Sequence, residues 1–303
     1  MIFRFLGDFY ELPFVECVTT VPFGFVYMPS EKGGFAVNGY NPHDGVKRAL
    51  NTLRYRKEFR CFRSSDEALF SLKKELQSSP VLLGPLDMGF LVYDPFCRFK
   101  KGSDHYLVAL GLEKDHVIVH DPDGYFHIPV QLEHFLRAWR AEAIGYKKGS
   151  YSMWIIKQRM EEPPVEAIYK NTLLFGLRNL REKTRSYLRK RHDAYFGSEG
   201  LAKLAKDIER HRSRRWLRFY STFTFRVSAQ RCSDSSDFIR NAPLENKSLS
   251  EASELRMRQA QLYGRCQSLG GMMKFGKVAE VLLEISKLED EFEVELQRGL
   301  LEV

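Results

Sequence analysis

Apolar and polar positions change period part-way along the chain. Up to about residue 160, short apolar runs alternate with turn signals. Ser65-Asp66-Glu67, followed by Ala68, Leu69, Leu72 and Leu76, reads as a capped helix stopped before Pro80. Val81-Leu82-Leu83 reads as a short buried strand closed by Gly84-Pro85, and Tyr125 to Val130 as another strand. Gln131 to Ala143 reads as a helix with Leu132, Phe135, Leu136 and Trp139 on one face, and Tyr151 to Ile156 as a last strand. Glu161-Glu-Pro-Pro164 breaks the pattern. Beyond it Val165, Ile168, Tyr169, Leu173, Leu177 and Leu180 recur at helical spacing, as do Leu201, Leu204, Ala205 and Ile208, then Trp216 and Tyr220. Ser248-Leu-Ser-Glu251 fits a capping box that opens a helix carrying Leu255, Leu262 and Cys266. Gly270-Gly271 separates it from a final helix with Phe275, Val278, Leu282, Ile285, Leu288 and Phe292, and residues 231–247 read as a polar loop. The pattern predicts an α+β domain over 1–160 and an all-helical bundle of about four helices over 165–303.

One stretch of the first half carries chemistry. Residues 105–112 and 116–121 read as two strands joined by a turn at Leu112 to Asp115. A hairpin centred on residue 113 places His105 across from Asp121, and a slightly later centre leaves them within one residue of facing. An aspartate so placed orients an imidazole, and a histidine so held deprotonates a thiol such as Cys17. Plainer readings exist beside this one. Asp121-Pro-Asp-Gly124 is also a ready turn, and a lone cysteine near an N-terminus also reads as a small buried hydrophobe. Asp104 and Asp87 are further polar candidates beside the site, or solvated loop residues; Tyr93 and Tyr106 line a groove or pack in the core. His116, His120 and His127 lie near Asp121 and Asp123, but no ligand set of fixed spacing emerges, so neither metal nor cofactor is expected.

Composition narrows the setting. Of the 303 residues, 44% are hydrophobic, enough for packed cores. Five scattered cysteines without CxxC or finger spacing read as free thiols of a reducing compartment. The start Met1-Ile-Phe-Arg-Phe-Leu-Gly-Asp8 does not read as a signal peptide, and no long apolar run suggests a membrane span, so a cytoplasmic protein is expected. The net charge of +8 is unevenly spread: residues 170–218 hold 15 Lys/Arg against 5 Asp/Glu, and residues 277–303 hold 3 against 8.

The first half resembles the N-terminal domain of the butirosin biosynthesis protein H family and, more distantly, the papain-like peptidase domain of bacteriocin exporters. Carrying the resemblance are the early Cys17, the segment Pro80-Val-Leu-Leu-Gly-Pro-Leu-Asp87 with Tyr93-Asp-Pro, and Asp104-His-Tyr-Leu-Val-Ala-Leu-Gly111 with Val117-Ile-Val-His-Asp-Pro122. The helical second half also fits that family's architecture. The resemblance implies a papain-like fold and a cysteine-dependent acyltransferase of specialised metabolism. An acyl group would move from a carrier-protein thioester to an amine, with Cys17 as nucleophile, His105 as base and Asp121 as orienting residue. A papain-like amidase or peptidase, or a catalytically silent binding protein on the same scaffold, stays open. Where papain-like enzymes commonly place an oxyanion glutamine six residues before the cysteine, this chain has Glu11, which can serve there only as the neutral acid. Glu16 and the helix-poor stretch Val18 to Gly24 adjoin the thiol.

The basic stretch fits the same reading. Arg178, Arg181, Arg185 and Arg189 fall on one expected helix and Arg214 and Arg215 on the next. Such runs are usually a solvated face; here they also suit docking of an acidic carrier protein. Nucleic acid ranks lower, since neither half holds a nucleic-acid motif. The acidic last helix is available to pack on the basic ones, within the chain or across a homodimer.

Overall fold

The computed structural model describes residues 1–39, 41–181, 194–244 and 246–302. Its strands are β1 (Phe25–Ser30), β2 (Gly33–Asn38), β3 (Tyr55–Arg60), β4 (Val81–Asp87), β5 (Asp104–Leu112), β6 (His116–Asp121), β7 (Tyr125–Gln131), β8 (Met153–Arg159) and β9 (Tyr195–Phe196). The class is α+β. The chain divides into two compact units, Met1–Tyr10 with Leu53–Glu162, and Glu11–Thr52 with Pro163–Val303.

The first unit is built on an antiparallel sheet of order β3-β8-β4-β5-β6-β7. Its strands alternate as a half-buried sheet should: on β6, Val117, Val119 and Asp121 face the core while His116, Ile118 and His120 do not. The helices Ser65–Leu76 and Leu132–Arg140 supply Ala68, Leu72, Phe135 and Trp139 to a core with Val81, Leu83, Leu107 and Ala109. Burial of each large apolar side chain contributes about 1.5–3 kcal/mol. Ser64 caps the first of these helices, its hydroxyl accepting from Glu67 N at 3.3 Å. Trp139 Nε1 donates to Ser152 O at 2.8 Å, so the indole is buried without an orphaned donor.

Gly84 shapes the strand next to β5. It adopts φ +151, and a Cβ there would lie 2.3 Å from Cδ1 of the Tyr106 ring. The β4–β5 ladder shifts register across this point, between Leu83↔Leu107 and Leu86↔His105. Gly84→Ala is therefore expected to destabilise the protein by about 1–3 kcal/mol through overpacking and an unfavourable φ. A urea melt reads this directly, and an unchanged midpoint would show that the Tyr106 ring yields freely.

The second unit contains the helices Leu12–Val18, Pro42–Thr52, Val165–Arg181, Gly197–His211, Arg214–Phe219, Phe225–Arg240, Lys247–Gly271 and Phe275–Leu301. It also holds the small sheet β2-β1-β9. Residues 11–52 thus group with the helices, whereas the change of period places them in the first half. The reason is the hairpin β1–β2, whose Phe25, Tyr27 and Ala36 join Leu201, Leu204, Tyr220 and Phe225 in one core. Polar ties reinforce this: Tyr27 OH donates to Asp207 Oδ2 at 2.9 Å, Tyr220 OH to Gly34 O at 2.9 Å, and Asn179 Nδ2 to Thr20 O at 2.9 Å.

Residues 231–247 correct the expectation of a loop. Most of them belong to the helix Phe225–Arg240, preceded by the π-helical turn Tyr220–Thr224. Ser228, Ser235 and Ser236 are polar in sequence yet buried in place. Ser235 Oγ donates to Cys232 O at 3.1 Å, and Ser236 Oγ to Ser253 O of the next helix at 2.8 Å. The next helix starts at Lys247 under an Asn246 cap, with Leu249 N donating to Oδ1 at 3.1 Å, rather than at the Ser248 box. Among the described residues no helix is long and apolar enough to cross a membrane.

Candidate active site

The β5–β6 hairpin brings His105 and Asp121 together, though in a different register from the expected one. The ladder pairs Val108↔His120 and Ala109↔Val119, then slips to Gly111↔Ile118 and Leu112↔Val117. Continued outward, it sets Leu107 across from Asp121 and His105 one pleat further on. Facing was the wrong geometry; the pair is diagonal. Because the side-chain period is two, both still project on the core side, and long side chains span that diagonal. His105 Nε2 lies 2.7 Å from Asp121 Oδ1.

Asp121 is 2% exposed and fully engaged. Oδ1 also accepts from Asp123 N at 2.8 Å, and Oδ2 accepts from Tyr93 OH at 2.6 Å. The turn reading and the orienting reading therefore both hold, since one oxygen serves the Asp123 amide and the imidazole. Burial pushes the Asp121 carboxyl up, but the hydrogen bonds and charge of its partners outweigh this and hold it below the usual aspartate range. Burial and the Asp121 charge push the Tyr93 phenol far up, so it remains a donor. Tyr93 sits 28 residues before Asp121 and no local pattern links the two, so its role was not legible beforehand. His105 Nδ1 makes no hydrogen bond to a described residue, which leaves that nitrogen available to a substrate proton.

Asp87 and Asp104 flank the pair. Asp87 is 1% exposed and not a solvated loop residue; its Oδ1 accepts from Gly89 N and Gly102 N, each at 2.9 Å. Asp104 Oδ2 accepts from Tyr146 OH at 2.7 Å. His116 pairs with exposed Asp115 at 2.7 Å, while burial holds His120 below the usual histidine range.

Cys17 belongs to the other compact unit. It is the penultimate residue of the helix Leu12–Val18 and is 0% exposed. The helix thus ends at the cysteine instead of opening there, so its dipole disfavours a thiolate. Burial pushes the thiol well up; Glu16 and Asp234 add to this, and Arg256 opposes it. At rest Cys17 is a protonated thiol. Glu11 is the exposed N-cap residue of the same helix and makes no side-chain cap hydrogen bond.

Asp234, one source of that field, has a titration of its own. Burial, then Glu16 and Asp237, push its carboxyl up to about 6 from 3.8, against Gln230 Nε2, which donates to it at 2.7 Å, and Arg231. The folded state therefore holds this proton more tightly than the unfolded chain does. Stability from this group is full at low pH, is lost as pH rises from about 4 to about 6, and is level above that. Asp234→Asn is expected to raise stability at pH 7 by about 2 kcal/mol and to flatten that window. Urea melts at pH 4 and pH 7 test this; equal gains at both would mean the carboxyl titrates normally.

The arginines are divided. Arg181 is tied to the acidic last helix, with Nε 3.1 Å from Glu293 Oε1 and a further hydrogen bond to Gln297. Arg178 lies over the Phe175 ring at 5.3 Å. Arg214 and Arg215 are exposed and make no ion pair with a described residue. Arg185 and Arg189 lie outside the described residues.

Residues 19–122 match the family described as butirosin biosynthesis protein H, N-terminal, and residues 191–297 match the YobF C-terminal domain. Over 301 residues the chain is 30% identical to a protein of Bacillus subtilis (strain 168) described as uncharacterized protein YobF, covering 98% of this chain and 93% of that one.

Proposed function

Because the chain belongs to the YobF family, whose N-terminal region is of the butirosin biosynthesis protein H type, we propose that it is a biosynthetic acyltransferase moving an acyl group from a thioester donor to an amine. The observation that supports this most is the His105–Asp121 pair, an imidazole clamped through Nε2 with Nδ1 left open. In this reading the first half is a papain-like scaffold and Cys17 is the acyl-bearing thiol. Cys17 gives up its proton to a base as its sulfur attacks the donor's carbonyl carbon. The donor's C–S bond breaks, and the departing thiolate takes a proton. The amine then attacks the Cys17 thioester; it gives up its N–H proton to a base, the role assigned to His105 Nδ1, and the sulfur of Cys17 takes a proton as that C–S bond breaks. Asp121, ionised, stabilises the imidazolium formed between these transfers. The donor is a carrier-protein thioester and the acceptor a small-molecule amine.

A second reading rests on the thiol itself. A buried, protonated Cys17 behind Glu16 and Asp234 suits a catalytically silent binding protein in which the His105–Asp121 contact clasps the hairpin end. Mixing the protein with an acyl thioester and weighing it intact separates the two. Acyl transfer predicts one acyl adduct, lost in Cys17→Ala and kept in Cys61→Ala, where Cys61 is the exposed cysteine. Adduct only on Cys61, or none, would sink the acyl-enzyme. Release of free acid in place of the amide would reassign the activity to an amidase or peptidase.

A further inference from the structure

We propose that the β4–β5 connection, residues 88–103, is the docking lip for the acyl donor. It would take an apolar acyl chain on Val92, Phe96 and Phe99 and the donor's phosphate on Arg98 and Lys101. The inference rests on the acyl-transfer reading and extends it to the donor's chemistry.

Topology puts this connection at the dyad. It leaves β4 after Asp87, next to Leu86, which pairs with His105, and re-enters the sheet at Asp104, the partner of Asp87 and the neighbour of that histidine. Both ends are fastened. Gly89 N and Gly102 N converge on Asp87 Oδ1, and Met88 N donates to Ser103 O at 2.9 Å. Midway, Tyr93 OH reaches Asp121 Oδ2 at 2.6 Å, so the connection and the dyad share a hydrogen bond. Lys100 Nζ donates to Asp94 Oδ2 at 2.6 Å, and short 3₁₀ turns cover Met88–Phe90 and Cys97–Phe99.

This fastened segment carries three exposed apolar side chains. Phe99 is 83% exposed, Phe96 60% and Val92 52%. Single exposed apolar groups are ordinary; three on one connection beside a candidate base suit an apolar ligand. Within the connection the charge is mostly cationic, and Asp123 from the neighbouring turn lies 3.8 Å from Lys100. Asp94 is the only acid on residues 88–103, and it is buried and neutralised by Lys100. Arg98 and Lys101 are exposed and make no ion pair with a described residue. A surface that is apolar and cationic together complements an amphiphile with an apolar tail and an anionic arm. An acyl thioester on a phosphate-bearing arm has that chemistry. A lipid surface shares it, but the Tyr93–Asp121 bond favours an occupant that must reach the dyad.

Calorimetric titration of the full chain with S-octanoyl 4′-phosphopantetheine, and with its unphosphorylated analogue, tests the lip without turnover. The double variant Arg98→Ser/Lys101→Ser should bind the phosphorylated probe about tenfold more weakly and the other probe unchanged. Phe96→Ser/Phe99→Ser should weaken both. All four side chains are exposed, so their removal leaves the cores intact, and thermal melts confirm this. Equal binding by every variant, or no binding by the wild type, would overturn the proposal. So would a defect confined to cosedimentation with vesicles of phosphatidylcholine and phosphatidylglycerol. Variant-sensitive binding without transfer to any amine would support the lip and count against the transferase.

Discussion

Glu289→Leu is expected to cost the helical unit about 3–5 kcal/mol, because it strands a buried guanidinium. Arg256 is 0% exposed; its Nη1 donates to Glu289 Oε2 at 2.9 Å and to Gln259 Oε1 at 2.7 Å. Gln259 Nε2 donates to the same carboxylate oxygen at 2.8 Å, and the guanidinium carbon lies 3.7 Å from the Phe292 ring centroid. Attraction inside a packed interior offsets the desolvation of two ions only while both are present. Remove the carboxylate, and Arg256 keeps its desolvation cost with no counter-charge. A fall of roughly 10 °C in the thermal midpoint follows for a chain of this size. The companion experiment is Arg256→Met with Glu289→Leu, which should recover most of the loss, since apolar replacements of similar volume remove both ions. A Glu289→Leu protein melting within about 2 °C of wild type would show that water reaches the pair. The same guanidinium partly opposes the upward push of burial, Glu16 and Asp234 on the Cys17 thiol, so the pair links core stability to the candidate nucleophile.

Asp121→Asn is expected to lower acyl transfer by about 10³–10⁴-fold while the fold survives. Asp121 accepts from His105 Nε2 and Asp123 N on one oxygen and from Tyr93 on the other. An asparagine with its carbonyl on the His105 side keeps the first two, and the Tyr93 hydroxyl can rotate to accept from the amide. Geometry is then nearly retained and the negative charge is lost, so in the proposed transfer the imidazolium would have nothing to balance it. The folded carboxyl is depressed, so its contribution to stability is present above the unfolded aspartate pKa and is lost as pH falls through the lower folded value. Asp121→Asn should therefore remove part of the acid-induced loss of stability below about pH 4. Steady-state rates with a thioester donor and an amine, set beside acid unfolding curves, read both effects. Unchanged rates with an altered acid transition would leave Asp121 a purely structural residue.

Legibility varied residue by residue. The helix over Val165–Arg181 and the last two helices were visible because apolar spacing of 3.6 survives whatever packs against it. The helix Phe225–Arg240 was hidden because the middle of its buried face, Ser228, Cys232, Asp234, Ser235 and Ser236, is polar or small, a face only a partner with matching hydrogen bonds tolerates. His105 and Asp121 were legible as neighbours because hairpin parity is a local property. Their diagonal register was not, because it depends on a one-residue slip beyond Ala109.

By itself the amino-acid sequence determined the α+β class, the helical second half, and a histidine and an aspartate on one face of one hairpin. These follow from local periodicity and turn chemistry, which act over a few residues. Only the tertiary structure decided that residues 11–52 join the helices, that Tyr93 completes the Asp121 site, and that Cys17 is a buried thiol at the wrong end of a helix dipole. Each of these is set by contacts between residues far apart in the chain, and by the desolvation that such contacts impose on charge.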